Sequence, residues 1–392
     1  MSLFRQKIEQ AMTIVAEENV SAWMTIGRET SMNSDPAIGL ICPVEFGGMT
    51  AVIVTPQKAI CIAGHLDSYG MSQTGVFDEV REYDKSFKEF FFSALRELSP
   101  KVIALNYSDD VAADGLGHGL FLQVEGWLNE FGYSGEVISA ERIIGKLRGR
   151  KSEEEVNRIK KAIAATEQIL LEAKDFIKAD MSQKTIHAWC QTRIAELGFE
   201  SAWDAGHNPG VMLGWAPGGH AGPGEHTTRA GHLLTLDFGV KVEGYCADIQ
   251  RVYYILGEGE SDVPQVYKDA FADIQASVEH GTTFMMPGRP AYTPDEAVRQ
   301  WLKERDYPEC NFAFGHQVGR STHDGGLLMG PRWERYAGRV EGEMETNMVF
   351  TIDVNLGFEH GRIGQEDMAI ITDQGGVRLS GPQPGIYICN AV

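Results

Sequence analysis

Residues Leu233 to Leu256, LLTLDFGVKVEGYCADIQRVYYIL, decide the fold of the C-terminal half. The stretch reads as two strands, Leu233–Val240 and Tyr245–Leu256, rich in β-branched and aromatic residues and joined around Lys241-Val242-Glu243-Gly244. Each strand carries one carboxylate, Asp237 and Asp248, in otherwise apolar surroundings. A hairpin centred between Val242 and Glu243 sets Asp237 directly opposite Asp248 on one face. Like charges so placed destabilise a sheet. A cation between them removes the conflict, and hard divalent ions prefer carboxylate oxygen. The alternative is two aspartates at a solvated hairpin edge.

Working outward, Phe314-Gly315-His316-Gln317-Val318-Gly319 sets a histidine between glycines, where backbone can approach a bound group. Met348 to Val354 is an apolar strand whose one carboxylate is Asp353, and Glu366-Asp367 opens another apolar strand, Met368 to Thr372. Buried carboxylates are costly unless compensated. Asp237, Asp248, Asp353 and Glu366 with one neutral imidazole, His316, would carry about four negative charges, which two divalent cations balance. The pattern points to a two-metal hydrolase.

Composition bounds the rest. A chain of 392 residues exceeds what one core usually supports, so two domains are expected. The formal charge of −20 argues against a nucleic-acid partner, which requires clustered Lys and Arg. Six scattered cysteines without a CxxC pair read as free thiols. No apolar run is long enough for a membrane span and no signal peptide is evident, so a cytoplasmic location is expected. Residues 1–140 alternate helical and strand patterns, which implies a three-layer α/β domain with a mixed sheet. His65 and Asp67 within it read as ordinary surface residues. Ser152 and Glu155 form a capping-box pattern that opens a long helix, placing the boundary near residue 150: an N-terminal domain over 1–150 and a catalytic domain over 151–392.

The C-terminal half, over roughly residues 145–380, resembles the pita-bread metallopeptidase family of prolidase, aminopeptidase P, methionine aminopeptidase and the metal-free creatinase. Leu236-Asp237-Phe238-Gly239, Gly244 through Arg251, Gly315-His316-Gln317-Val318-Gly319, Val349 through Asp353 and Glu366-Asp367-Met368 carry the likeness in order. The N-terminal domain is similar, more loosely, to that of creatinase and prolidase. The resemblance implies an α+β catalytic domain with a curved antiparallel sheet and a homodimer. It also implies two divalent metal ions (Mn, Co, Zn or Fe) bound by Asp237, Asp248, His316, Asp353 and Glu366, with Asp248 and Glu366 bridging. A water or hydroxide between the ions would attack the scissile carbonyl of a small peptide, before proline in the aminopeptidase P or prolidase manner. His220 and His323 fall where the family has substrate-facing histidines, and the carboxylate at 353 would shuttle a proton to the leaving amine.

Two positions depart from the family pattern. Asp353 stands where Glu is usual, shorter by one methylene, about 1.5 Å. Gly364 stands where prolidase-like members commonly have Arg, and Arg320, near His316, is the expected substitute anchor for a substrate carboxylate. A second reading is a non-peptide C–N amidohydrolase on the same fold, like creatinase or ectoine hydrolase. A third is a binding protein that has lost catalysis.

Overall fold

The computed structural model describes residues 2–216, 222–358 and 361–390. The chain divides into two compact units, Met1–Arg148 and Gly149–Val392.

In the first unit, six strands form a mixed sheet in the order Glu79–Tyr83, Ala59–Gly64, Thr50–Val54, Ala22–Gly27, Val102–Leu105, Glu136–Ser139. The two central hairpin pairings are antiparallel and the outer three are parallel. Strand residues alternate between two cores. Trp23, Val52, Val54, Cys61 and Ala104 face Ile8, Ile14, Ile143 and Leu147. Met24, Ile53, Ile60, Ile62 and Ile103 face Phe91, Leu95, Val124 and Leu128. A sheet buried on both faces by helices is the three-layer α/β arrangement. His65 is exposed on the helix His65–Gln73, which the sequence pattern did not reveal, and its Nδ1 lies 2.8 Å from Glu82 Oε1.

The second unit opens with helix Glu153–Phe176. Its capping box forms as expected: Glu155 N–H donates to the Ser152 hydroxyl, and Ser152 N–H donates to the Glu155 carboxylate. The other Glu155 oxygen accepts the Tyr245 hydroxyl at 2.9 Å, and Tyr253 donates to Leu170 O at 2.6 Å, fastening the helix to the strands it covers. The main sheet runs Val349–Phe358, Gly361–Thr372, Ile249–Ile255, His232–Phe238, Gly210–Leu213, antiparallel throughout, with Gly375–Arg378 paired to Gly361–Thr372. Gly361–Thr372 meets Ile249–Ile255 only at Glu366 and Gln250; farther along, Tyr387–Cys389 takes the neighbouring place in parallel. The sheet therefore curves and parts where its carboxylates lie. Helices Gln265–Thr282 and Tyr292–Lys303 contribute Ile274, Val278 and Val298 to a core with Phe350, Ile352 and Val354, which turns the alternate residues Asp353 and Asn355 the other way.

One expectation is corrected here. The hairpin is centred between Glu243 and Gly244, both at positive φ (50° and 80°), so Val242 faces Tyr245 and Gln250, not Asp248, stands opposite Asp237. Asp248 lies two residues earlier, on the same face and diagonal to Asp237. Positive φ at both central residues with Gly second is the two-residue turn that matches strand twist. The hairpin is also interrupted at Gly239, whose amide and carbonyl pair with the Asn208 side chain. A Cβ there would lie 2.0 Å from Ala247 O.

Candidate metal centre

The ladder sets four side chains in one row across the sheet: Asp353 pairs with Glu366, Glu366 with Gln250, and Gln250 with Asp237. Gly210 ends the row, its Cβ position 3.3 Å from the Asp237 Cβ. A cavity of about 790 Å³ opens over them, lined also by Asp248, His316, His323 and Trp203. His316 arrives on the short strand Gly315–His316. It is docked by Gln317 against Phe350, and its amide donates to the Thr351 hydroxyl at 3.2 Å. The five expected ligand residues thus reach one cavity.

Asp248, His316 and Glu366 offer ligand atoms all within 4.8 Å of one another. His316 Nε2 lies 3.7 Å from Asp248 Oδ2 and 3.8 Å from Glu366 Oε1. His316 Nδ1 lies 3.0 Å from Thr322 O. A carbonyl only accepts, so Nδ1 carries the proton and Nε2 presents its lone pair to the carboxylates. Burial, then the neighbouring His323, pushes the His316 pKa down to about 3, which keeps it a neutral ligand. The His323 ring stands edge-on to it, centroids 4.2 Å apart.

The carboxyls show the opposite strain. Burial first, and then repulsion from Asp237 and from each other, pushes Asp248, Asp353 and Glu366 well above the ordinary carboxylate range. Asp237 and Asp248 are close enough for a side-chain hydrogen bond. Hard oxygen donors crowded in a buried site with one neutral imidazole fit divalent cations, whose charge relieves the repulsion.

The remaining expected residues divide. His323 lines the cavity. His220 lies outside the described residues. Arg320 is not among the residues lining the cavity; its charge acts on the Tyr245 phenol instead. Among the described residues the cations in the cavity wall are Arg339 and Arg362. Cys246 is buried against Ala202 O and Arg320 O, in a packing role. Gln250 and Asn355 went unnoticed in the sequence. Glu243-Gly244 as a two-residue turn was the signal that would have set Gln250 in the row.

A curved antiparallel sheet that gathers acidic residues and a histidine under one cavity is the pita-bread arrangement, with a group of side chains that could hold a metal ion. The profile of metallopeptidase family M24 matches residues 157–379, more than half of the chain, and the chain belongs to that metal-dependent family. It is 24% identical over 238 residues to an uncharacterized peptidase of Staphylococcus aureus, covering 59% of this chain and 62% of that relative, under two thirds of its length. The X-Pro aminopeptidase of Thermotoga maritima superposes with a TM-score of 0.72 at 22% identity, covering 94% of this chain and 98% of that one. The Xaa-Pro dipeptidase of Bacillus anthracis gives 0.74 at 17% identity, covering 98% and 99%. These structural likenesses establish the pita-bread fold. Among the described residues, no helix is long and apolar enough to cross a membrane.

Proposed function

We propose that the chain is a metal-dependent hydrolase of small peptides that cleaves the bond before proline, using two divalent ions held by Asp237, Asp248, His316, Asp353 and Glu366. The carrying observation is the convergence of those five side chains on one cavity. When bound, the ions would acidify a water and polarise the scissile carbonyl. The protein's own groups do the rest. His316 offers Nε2 because Thr322 O holds its other nitrogen. Asp353, at the end of the row, would carry a proton from the attacking water to the leaving amine. His323, in the wall beside His316, would donate to the carbonyl oxygen as charge develops on it. Arg339 and Arg362, also in the cavity wall, would receive a substrate carboxylate.

The test is a hydrolysis screen of protein reconstituted with Mn, Co, Zn or Fe, against Xaa-Pro dipeptides, longer Xaa-Pro peptides, proline-free controls and small cyclic or guanidino amides. Turnover of Xaa-Pro dipeptides is expected, with Arg339→Ala and Arg362→Ala raising KM more than they lower kcat. No turnover of any Xaa-Pro peptide overturns the peptide reading, and turnover of the amides alone moves the assignment to a non-peptide amidohydrolase.

A further inference from the structure

Two neutral amides stand among the carboxylates, joined in a chain of donors. Asn355 Nδ2 donates to Asp353 Oδ1 at 2.9 Å and to Gln250 Oε1 at 2.8 Å. Gln250 Nε2 in turn donates to Glu366 Oε2 at 2.8 Å. The order of O and N in both amides follows from chemistry: a carboxylate only accepts, so Nε2 of Gln250 faces Glu366, and its Oε1 must then meet a donor. The Glu366 oxygen nearest His316 Nε2 is the other one, Oε1. The Asn355 amide also fills the space beside its cross-strand partner Gly364, where a Cβ would lie 1.6 Å from Asn355 Oδ1. Glycine at 364 is therefore the condition for the amide to sit where it does.

We propose that Asn355 and Gln250 are positioning residues, an amide relay seated by Gly364 that holds one oxygen each of Asp353 and Glu366 and leaves the other for metal. The relay rests on the metal reading above and explains how the short Asp353 is aimed. Fixed at one oxygen, its carboxylate no longer samples the rotations that a free Asp would, so less conformational freedom is lost when an ion arrives. It also accounts for the two departures at 353 and 364 together, because the residue between them in space is Asn355. Partners that orient metal ligands in this way typically contribute 10–100-fold in metal affinity.

The test is Mn²⁺ affinity, by titration calorimetry against a competing chelator, for the full chain and for Asn355→Ala, Gln250→Leu and Gly364→Ala. Each variant is expected to weaken Mn²⁺ binding by about 10–100-fold. Gly364→Ala removes no hydrogen-bonding atom and acts only by displacing the Asn355 amide. Adding it to Asn355→Ala should therefore change nothing further. A merely structural role would lower the melting temperature of the metal-free variants and leave their Mn²⁺-induced rise intact, and that result overturns the relay. So does an Mn²⁺ affinity within about twofold of the parent in both Asn355→Ala and Gln250→Leu. Should Gly364→Ala fail to fold, those two variants decide. If the unsubstituted chain binds no Mn²⁺, Co²⁺ or Zn²⁺, the metal reading itself fails and the relay with it, a result distinct from loss of the variant effect alone.

Discussion

Replacing Glu366 by Gln should stabilise the metal-free protein at alkaline pH while abolishing its response to metal. The Glu366 carboxyl is raised by burial first, then by repulsion from Asp248, Asp353 and Asp237. Its ligand oxygen lies within 4.8 Å of that of Asp248. Two like charges at that separation cost about 3 kcal/mol at an effective dielectric near 20. Carboxyls raised above their unfolded values contribute stability that is fully present below the ordinary carboxylate range near pH 4 and is lost as pH rises through the folded values. The chelator-treated protein should therefore lose stability as pH rises above the ordinary carboxylate range. The E366Q side chain has the same shape and can still accept the Gln250 amide, but carries no charge. Relief of roughly 3 kcal/mol would raise the melting temperature at pH 8 by about 6–12 °C for a unit of this size. Conversely, Mn²⁺ at about 100 times its Kd stabilises the parent by about 2.7 kcal/mol, a gain that E366Q should lose with its ligand. Scanning calorimetry at pH 5.5 and 8, with chelator and with Mn²⁺, reads both effects. A metal-free parent that gains stability from pH 5.5 to 8, or an E366Q protein that melts lower than the parent at pH 8 without metal, refutes the reasoning.

Two further outcomes concern structure away from the ligands. Asp367, fully buried behind Glu366, accepts from Arg251 (2.9 Å), Arg378 (3.0 Å), Ser380 (2.9 Å) and Gln365 (2.7 Å). Asp367→Asn removes the charge that Arg251 and Arg378 share, leaving each guanidinium with the more exposed Glu167 or Glu279, and should cost about 3–5 kcal/mol in urea unfolding; a loss under about 1 kcal/mol would refute a structural role for this cluster. In the first unit, burial raises Asp35 to about 6, against hydrogen bonds from the Asn106 side chain and the Ala37 amide. Its contribution is complete below pH 4 and fades as pH rises through 6. At about 1.4 kcal/mol per pH unit the change is worth roughly 3 kcal/mol. Hydrogen exchange in the strand Ala22–Gly27 should show that loss in the parent and a flatter dependence in Asp35→Asn.

How much of this is legible in the sequence depends on the range of the interaction. The apolar strand expected over Met348–Val354 and the capping box at Ser152 rest on local signals, and both form, the strand running on to Phe358. The acidic residues of the cavity are legible in the sequence because a carboxylate in an apolar strand needs compensation. Helix His65–Gln73 is not, since it mixes polar and apolar residues without a clean stripe. Closeness to His316 in sequence does not place Arg320 in the cavity wall, whose cations among the described residues are Arg339 and Arg362.

The hairpin register shows what such errors cost. Centring the turn one residue later moves each facing pair by two positions, so side chains keep their face but change partners. Asp237 and Asp248 therefore stay on the same side in either register. The observed register brings in Gln250, the neutral residue between Asp237 and Glu366 in the row. A row made only of carboxylates would depend on bound cations for every separation between charges. With an amide at its centre, the acidic groups are spaced by a donor that can bind one and be steadied by Asn355. The arrangement of charge at this centre is thus set partly by residues that carry none, and those are the residues for which spacing and charge in a sequence give the weakest signal.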